Sequence, residues 1–200
     1  VVDGEGGAVA ITYSLNVAFG SHIVAGTTGV LLNDHMDDFS VKPGAANEYG
    51  LLQGTANAIV PGRRPLSSMS PTIVRHGDEV VLVLGAAGGP RILSSVAQVV
   101  LHVVGDDVPL DQAIILPRIH HQHRPDRLDH EDAVVVWPKG RKRLDLLLHP
   151  EVLADLEARG HALRGRAKGI ARLTAISRDP ESGRVRGVAG PRTYGAAVTE

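Results

Sequence analysis

Two prolines hold a hydroxyl-rich run between them: Pro65-Leu66-Ser67-Ser68-Met69-Ser70-Pro71-Thr72. Proline fixes φ and has no N–H, so this run is a stiffened loop and not a helix interior. The three serines Ser67, Ser68 and Ser70 on such a loop could hydrogen-bond a carboxylate, because each hydroxyl donates a proton and rotates to suit. Spacing alone favours an ordinary turn, since Ser and Pro are common turn formers. A second cluster, Asn33-Asp34-His35-Met36-Asp37-Asp38-Phe39-Ser40, sets carboxylates beside an imidazole, donors that suit several divalent ions. It matches neither an EF-hand loop nor an HExxH helix, and on its residues alone a solvated acidic turn is the better reading. A third, Gly85-Ala86-Ala87-Gly88-Gly89-Pro90-Arg91, stands between an apolar strand and a helix. Backbone N–H groups at a positive helix end can hold a negative oxygen, as an oxyanion hole does, though a tight structural turn has the same composition. In the fourth, Pro117-Arg118-Ile119-His120-His121-Gln122-His123, His121 and His123 share a strand face and with a carboxylate could bind zinc. No matched second cluster accompanies them, and a surface or hydrogen-bonded role is preferred.

Elements must position these groups. Glu79 to Leu84 reads as a buried strand, and Ile92 to Val104 as a buried helix with Pro90 at its tolerated first-turn position. The first residues read as a hairpin: Val1-Val2, a turn over Asp3 to Gly7, then Ala8 to Leu15 in strand-like alternation. That alternation puts Val9, Ile11, Tyr13 and Leu15 on one face and Thr12, Ser14 and Asn16 on the other. Val30 to Leu32 is a short apolar run, and Ile73-Val74 enters a strand. Lys42 to Arg64, rich in Gly, Pro, Ala and Asn around an isolated Tyr49, is long and aperiodic, hence a lid candidate. Pro150 to Arg159 is a short helix with Gly160 as its cap. Ile170 to Ile176 is a strand, Asp179 to Gly183 a turn, and Val185 to Val188 a closing strand. The basic runs Lys139 to Arg143 and Arg159 to Lys168 read as solvated faces. This order of elements is α+β in one domain spanning residues 1–200.

Composition narrows the function classes. Two hundred residues with 43% hydrophobic content can bury one sizeable core. A formal net charge of −1 provides no overall field for nucleic acid or an anionic membrane. The chain has no cysteine, which removes disulfides, thiolate nucleophiles and cysteine-ligated zinc. No apolar run reaches the length of a membrane span, and no signal-peptide layout opens the chain. A chain beginning directly on a strand leads us to expect a segment before Val1.

Taken together, Thr12-Tyr13-Ser14-Leu15-Asn16, Gly29 to Ser40, Arg64 to Thr72, Gly88-Gly89 and Pro117-Arg118-Ile119-His120-His121-Gln122 resemble the small subunit of γ-glutamyltransferases. These are the glutathione hydrolases of the N-terminal nucleophile class, and the matching stretches run in family order over nearly the whole chain. The resemblance implies a four-layer αββα sandwich, with this chain supplying part of the two central sheets and a large subunit from the same precursor completing it. It implies that Ser67 and Ser68 hold the substrate's α-carboxylate and that Asn16 and Asp38 hold its α-amino group. Gly88 and Gly89 fall at the oxyanion hole, Tyr49 on the lid loop, and Ser14 where a threonine usually bonds the nucleophile. The PRFHHQ-like segment accounts for His120 and His121 without a metal, and no cofactor is implied.

Two departures stand out. The family's nucleophile is a threonine created at the small subunit's N-terminus by self-cleavage; it is expected upstream of Val1 and is not in this chain, nor are Thr12 or Thr72 placed to replace it. His35 stands where the family carries Gln or Glu against the α-amino group; a protonated imidazole would repel that ammonium, and a neutral one could accept from it. The implied activity is cleavage of the γ-glutamyl bond of glutathione and related compounds through a γ-glutamyl-enzyme, the group passing to water or to an amino acid or peptide. A glutaryl-type acylase, a catalytically silent relative, and last a zinc protein centred on His121 and His123 are the alternatives. A periplasmic or secreted setting is implied by the resemblance alone.

Overall fold

The computed structural model describes residues 1–136, 143–192 and 196–197, with 133–136 and 143–146 described by backbone alone. The chain divides into two compact units, Val1–Thr12 with Met69–Glu200 and Tyr13–Ser68.

The larger unit is α+β. Its first sheet has the order β1-β2-β7-β8, from β1 (Thr72–His76), β2 (Glu79–Ala87), β7 (Arg172–Arg178) and β8 (Val185–Ala189), every pair antiparallel. The second joins β3 (Ile119–His121), β4 (Leu128–Val136) and β5 (Arg143–Leu147), with β6 (Leu163–Arg166) running parallel to the first half of β4. The helices are α1 (Arg91–Val100), which continues into one π-helical turn over Leu101–Gly105, a short α2 (Leu110–Ala113), and α3 (Pro150–Ala158).

Periodicity explains the core. Leu82, Leu84 and Ala86 alternate along β2 and pair across the sheet with Ser177, Ala175 and Leu173 of β7. Ile92, Val96 and Val99 recur at helical spacing on α1, so a 3.6-residue stripe meets a two-residue stripe. With Leu110, Ala113 and Ile114 they form one buried cluster. The expected strand at Glu79 therefore exists and runs on through Ala87, so Ala86 and Ala87 are strand and only Gly88-Gly89 turn. The expected strand at Ile170 instead begins at Arg172, because Ala171 adopts φ +55, a left-handed conformation that ends an extended run. Helix α3 stops where expected, with Gly160 at φ +90.

Three expectations are corrected. The opening hairpin closes only as a Val2↔Ala8 bridge, and residues 9 to 15 are in no strand. Its apolar face points outward: Val9, Ile11 and Tyr13 are 51%, 79% and 84% exposed, while Thr12, Ser14 and Asn16 are half-buried. The run Arg159 to Lys168 is not simply a solvated face, since Arg164 and Arg166 on β6 both bond the buried Asp129. Of the run Lys139 to Arg143, all but the backbone of Arg143 lies outside the described residues. Strands β4 to β6 were not anticipated; β4 carries Asp129, Glu131 and Asp132 among its apolar residues, which hides its alternation. No helix among the described residues is long and apolar enough to cross a membrane.

The smaller unit is built from turns. It holds 3-10 turns at His35–Asp38 and Thr55–Asn57 and isolated bridges Val24↔Leu31, Ser40↔Ala58 and Ala46↔Leu52. Asparagine side chains do the work that ladders do elsewhere. Asn33 Oδ1 accepts from His35 N–H, and Asn47 Oδ1 accepts from the N–H groups of Tyr49 and Leu51.

Candidate functional site

In the smaller unit, five of the residues singled out from sequence form one contact chain. The 3-10 turn puts His35 and Asp38 on adjacent positions of one face, and His35 Nδ1 lies 2.8 Å from Asp38 Oδ2. The other ring nitrogen, Nε2, is 3.2 Å from the carbonyl oxygen of Ser14. Both neighbours are acceptors, so only the imidazolium form donates to each at once. His35 is thus a partner of Asp38, and not a bare acceptor awaiting an ammonium. Ser14 Oγ accepts from Asn16 N–H at 2.8 Å, which helps to hold Asn16 at φ +77. Asn16's carbonyl accepts from the Tyr49 hydroxyl at 2.9 Å. Burial, followed by the carboxylates of Asp38, Asp34, Glu48 and Asp37, raises the Tyr49 pKa and keeps the phenol a donor. The side-chain nitrogen of Asn16 is buried and has no partner among the described residues. Turning the amide over to present its oxygen therefore forfeits no hydrogen bond at Nδ2.

Asn57 joins this chain to the serine loop. Its Nδ2 donates to the Asp38 carbonyl at 2.7 Å, and its Oδ1 accepts from Leu66 N–H at 2.9 Å. Gln53 Nε2 also donates to the Asp38 carbonyl, and Gln53 Oε1 accepts from Asn57. Ser67 is exposed and Ser68 half-buried, one and two residues beyond that anchor. Sequence reasoning missed both Asn57 and Gln53; they lie in an aperiodic loop whose amides carry no signature of their targets.

Gly88 and Gly89 belong to the larger unit, between β2 and α1. Gly88 has φ +154 and Gly89 φ +60, conformations that L side chains rarely adopt. A Cβ on Gly88 would stand 2.9 Å from Ala171 Cα. The Gly89 carbonyl accepts from Ile92 N–H at 3.0 Å and so closes the turn onto the first turn of α1.

The histidines of the PRIHHQH segment are engaged with protein groups. His120 Nε2 meets Gln122 Oε1 at 3.0 Å, and its Nδ1 meets Ser94 Oγ at 2.9 Å. Burial lowers its pKa, against the opposing effect of the hydrogen bond that Nε2 donates to Gln122 Oε1. His121 Nδ1 accepts from His123 N–H, and Nε2 meets Asp126 Oδ1 at 3.1 Å. Among the described residues no group of three or more His, Asp or Glu side chains could hold a metal ion. Nearby, Asp129 gathers Arg164, Arg166 and Arg127. Burial works to raise its pKa, but the hydrogen bond and charge of Arg164, with Arg166 and Arg127, hold it below the usual carboxylate range.

Comparison with known proteins agrees with this geometry. A family model described as Gamma-glutamyltranspeptidase matches residues 1–200. The glutathione hydrolase proenzyme of Escherichia coli (strain K12) is 47% identical over 160 residues, 80% of this chain and 25% of the relative. That of Pseudomonas aeruginosa is 41% identical over 179 residues, 90% of this chain and 30% of the relative. The chain therefore spans only about a quarter to a third of these curated relatives. A solved gamma-glutamyltranspeptidase from Pseudomonas nitroreducens, complexed with L-DON, superposes with a TM-score of 0.86 at 38% identity, covering 100% of this chain and 97% of that one. The α+β fold is accordingly that of the N-terminal nucleophile hydrolases, and the chain belongs to the gamma-glutamyltranspeptidase family.

Proposed function

We propose that the complete protein cleaves the γ-glutamyl bond of glutathione and related compounds and passes the γ-glutamyl group to water or to an amino acid or peptide. The observation that carries this reading is the His35–Asp38 turn locked to Ser14, Asn16 and Tyr49. It holds a carboxylate and an amide in fixed places, the pairing that an α-ammonium needs. Ser67 and Ser68 donate to the donor's α-carboxylate, tied to the same turn through Asn57. Gly88 and Gly89 direct N–H groups at the oxyanion.

The reaction runs in two halves. A threonine hydroxyl upstream of Val1 attacks the γ-carbonyl carbon while that residue's own α-amine takes the proton. The C–N bond breaks, the proton passes to the leaving amine, and a γ-glutamyl ester remains. Water or an acceptor amine then attacks the ester and restores the hydroxyl. Ser14 Oγ, half-buried, supports the nucleophile by a hydrogen bond. A large subunit from the same precursor is the partner, in line with relatives named proenzymes of which this chain covers 25–30%.

The test is to express the full reading frame, record intact masses and N-terminal sequences, and assay γ-glutamyl-p-nitroanilide. Two chains, the smaller beginning with threonine, and release of p-nitroaniline are expected. An unprocessed or inert product selects the catalytically silent relative. Glutaryl amides, which lack the α-amino group, form the second reading, because the Asp38 carboxylate already has a hydrogen-bond partner in His35 Nδ1 at 2.8 Å.

A further inference from the structure

Glu131 lies wholly buried on β4 and accepts four N–H groups. These are Arg118 N at 2.9 Å, Ile170 N at 2.6 Å, and Arg192 Nε and Nη2 at 2.5 Å each. Arg118, itself 2% exposed, directs Nη1 to the carbonyls of Ile170 at 3.1 Å and Ala171 at 3.4 Å, and Nη2 to that of Ile114 at 2.8 Å. Burial, then the like charge of Arg192, lowers the Arg118 pKa to about 9 against the pull of Glu131, so the guanidinium is still charged at neutral pH. The backbone from Gly169 to Ala171 is thereby gripped from both sides, its N–H by the acid and its carbonyls by the guanidinium. Gly169 favours glycine: at φ +72 a side chain is strained, and a Cβ there would press on Glu131 Oε1 at 3.1 Å.

What this grip holds is an unfavourable conformation in a particular place. Ala171 sits at φ +55, which an alanine keeps only where its surroundings over-determine it. The β2–β7 pairing ends at Ala87↔Arg172, so Ala171 stands at the next rung, opposite Gly88. A Cβ on Gly88 would meet Ala171 Cα at 2.9 Å and Cβ at 3.0 Å, so with Ala171 in this place the turn admits only a glycine at 88. As a stability device a buried ion pair such as Arg192–Glu131 is poor, since apolar residues of the same volume do as well or better. As a means of fixing one segment in one register it is effective.

We infer that Glu131, acting through Arg118 and Ala171, is a positioning residue for the Gly88–Gly89 turn, and hence for the oxyanion donors assigned to it above. This rests on the proposed γ-glutamyl chemistry for its catalytic consequence, but not for the mechanical coupling.

The experiment uses the full-length, processed protein with Ala171→Gly and Glu131→Gln, measured by γ-glutamyl-p-nitroanilide kinetics, thermal unfolding and hydrogen exchange of the 85–92 peptide. Ala171→Gly relieves the left-handed strain, so its Tm should equal or exceed that of the wild type. Its kcat should nevertheless fall about tenfold, part of the loss expected for a missing oxyanion donor, with KM within about twofold. The 85–92 peptide should exchange faster while β4 and β7 stay protected. Stability and turnover moving in opposite directions is a result that a merely structural role does not produce. Glu131→Gln should show the same kcat and exchange signature with a lower Tm; if it does not fold, Ala171→Gly decides alone. Unchanged exchange at 85–92, or unchanged kcat in an active enzyme, overturns the inference. A wild type without γ-glutamyl activity whose variants still loosen 85–92 overturns the functional reading and supports the coupling.

Discussion

Asp38→Asn separates the two donor classes that the site could serve. The carboxylate's Oδ2 lies 2.8 Å from His35 Nδ1, and the side chain is one-fifth exposed, so a cation placed there makes a short, partly desolvated, charge-assisted contact. Such a bond is worth about 1.5–3 kcal/mol, or roughly a 10- to 150-fold change in an equilibrium constant. The substitution preserves shape and leaves the Asp38 carbonyl, which anchors Gln53 and Asn57, untouched. The loop should therefore keep its fold, while the charge facing the donor and its contact with His35 Nδ1 are lost. With the processed enzyme, KM for γ-glutamyl-p-nitroanilide should rise about 10- to 150-fold, while KM for glutaryl-p-nitroanilide, which has no ammonium to lose, should stay within about threefold. Equal losses on both donors would refute the reasoning, because they would make Asp38 a scaffold residue and not the ammonium's partner. Better turnover of the glutaryl compound by the wild type would move the assignment to the acylase reading.

Three further outcomes follow from named contacts. His35 bridges Asp38 and Ser14 and so competes with the donor's ammonium for Asp38; His35→Ala, which frees that oxygen, should change KM for γ-glutamyl-p-nitroanilide about threefold or more and leave KM for the glutaryl compound nearly unchanged. Equal KM values for the γ-glutamyl donor in wild type and variant count against the competition. Asn57→Ala removes the link between the Asp38 carbonyl and Leu66 N–H, and should lower kcat/KM for γ-glutamyl donors about tenfold at a stability cost of about 1–3 kcal/mol, read from the two assays together. Asp129 has a folded pKa below its unfolded one, so its contribution to stability is present above about pH 4 and is lost as pH falls through that value into its lower folded range. Asp129→Asn removes the shared partner of these partly exposed arginines, costing about 1–3 kcal/mol at neutral pH, and its Tm should fall less steeply with acid than that of the wild type.

Elements with a clean period were legible: β2 and α1 stand where the alternation and the helical stripe put them, because each buries one continuous apolar face against the other. Their ends were not. Small residues at 86 and 87 read as turn but pair as strand, and Ile170 and Ala171 read as strand but are bent by contacts from Glu131 and Arg118. The candidate site was legible as a set of positions through the family resemblance, whereas the wiring between them was visible only in three dimensions. His35 seated on Asp38, and Asn57 reaching both Asp38 and Leu66, are contacts that no local spacing encodes.

The same limit explains why alternation could group Val9, Ile11 and Tyr13 on one face without showing that this face lies outward. Alternation identifies which side chains share a face, but burial is decided by whether another surface meets that face. Where the chain supplies the second surface, as α1 does for β2, pattern and burial agree. Where it does not, the polar residues fall inward by default, and here they include Ser14 and Asn16, whose half-buried positions let them bond each other, His35 and Tyr49. The outward turn of the apolar face is therefore what brings these hydrogen-bonding groups to the candidate site.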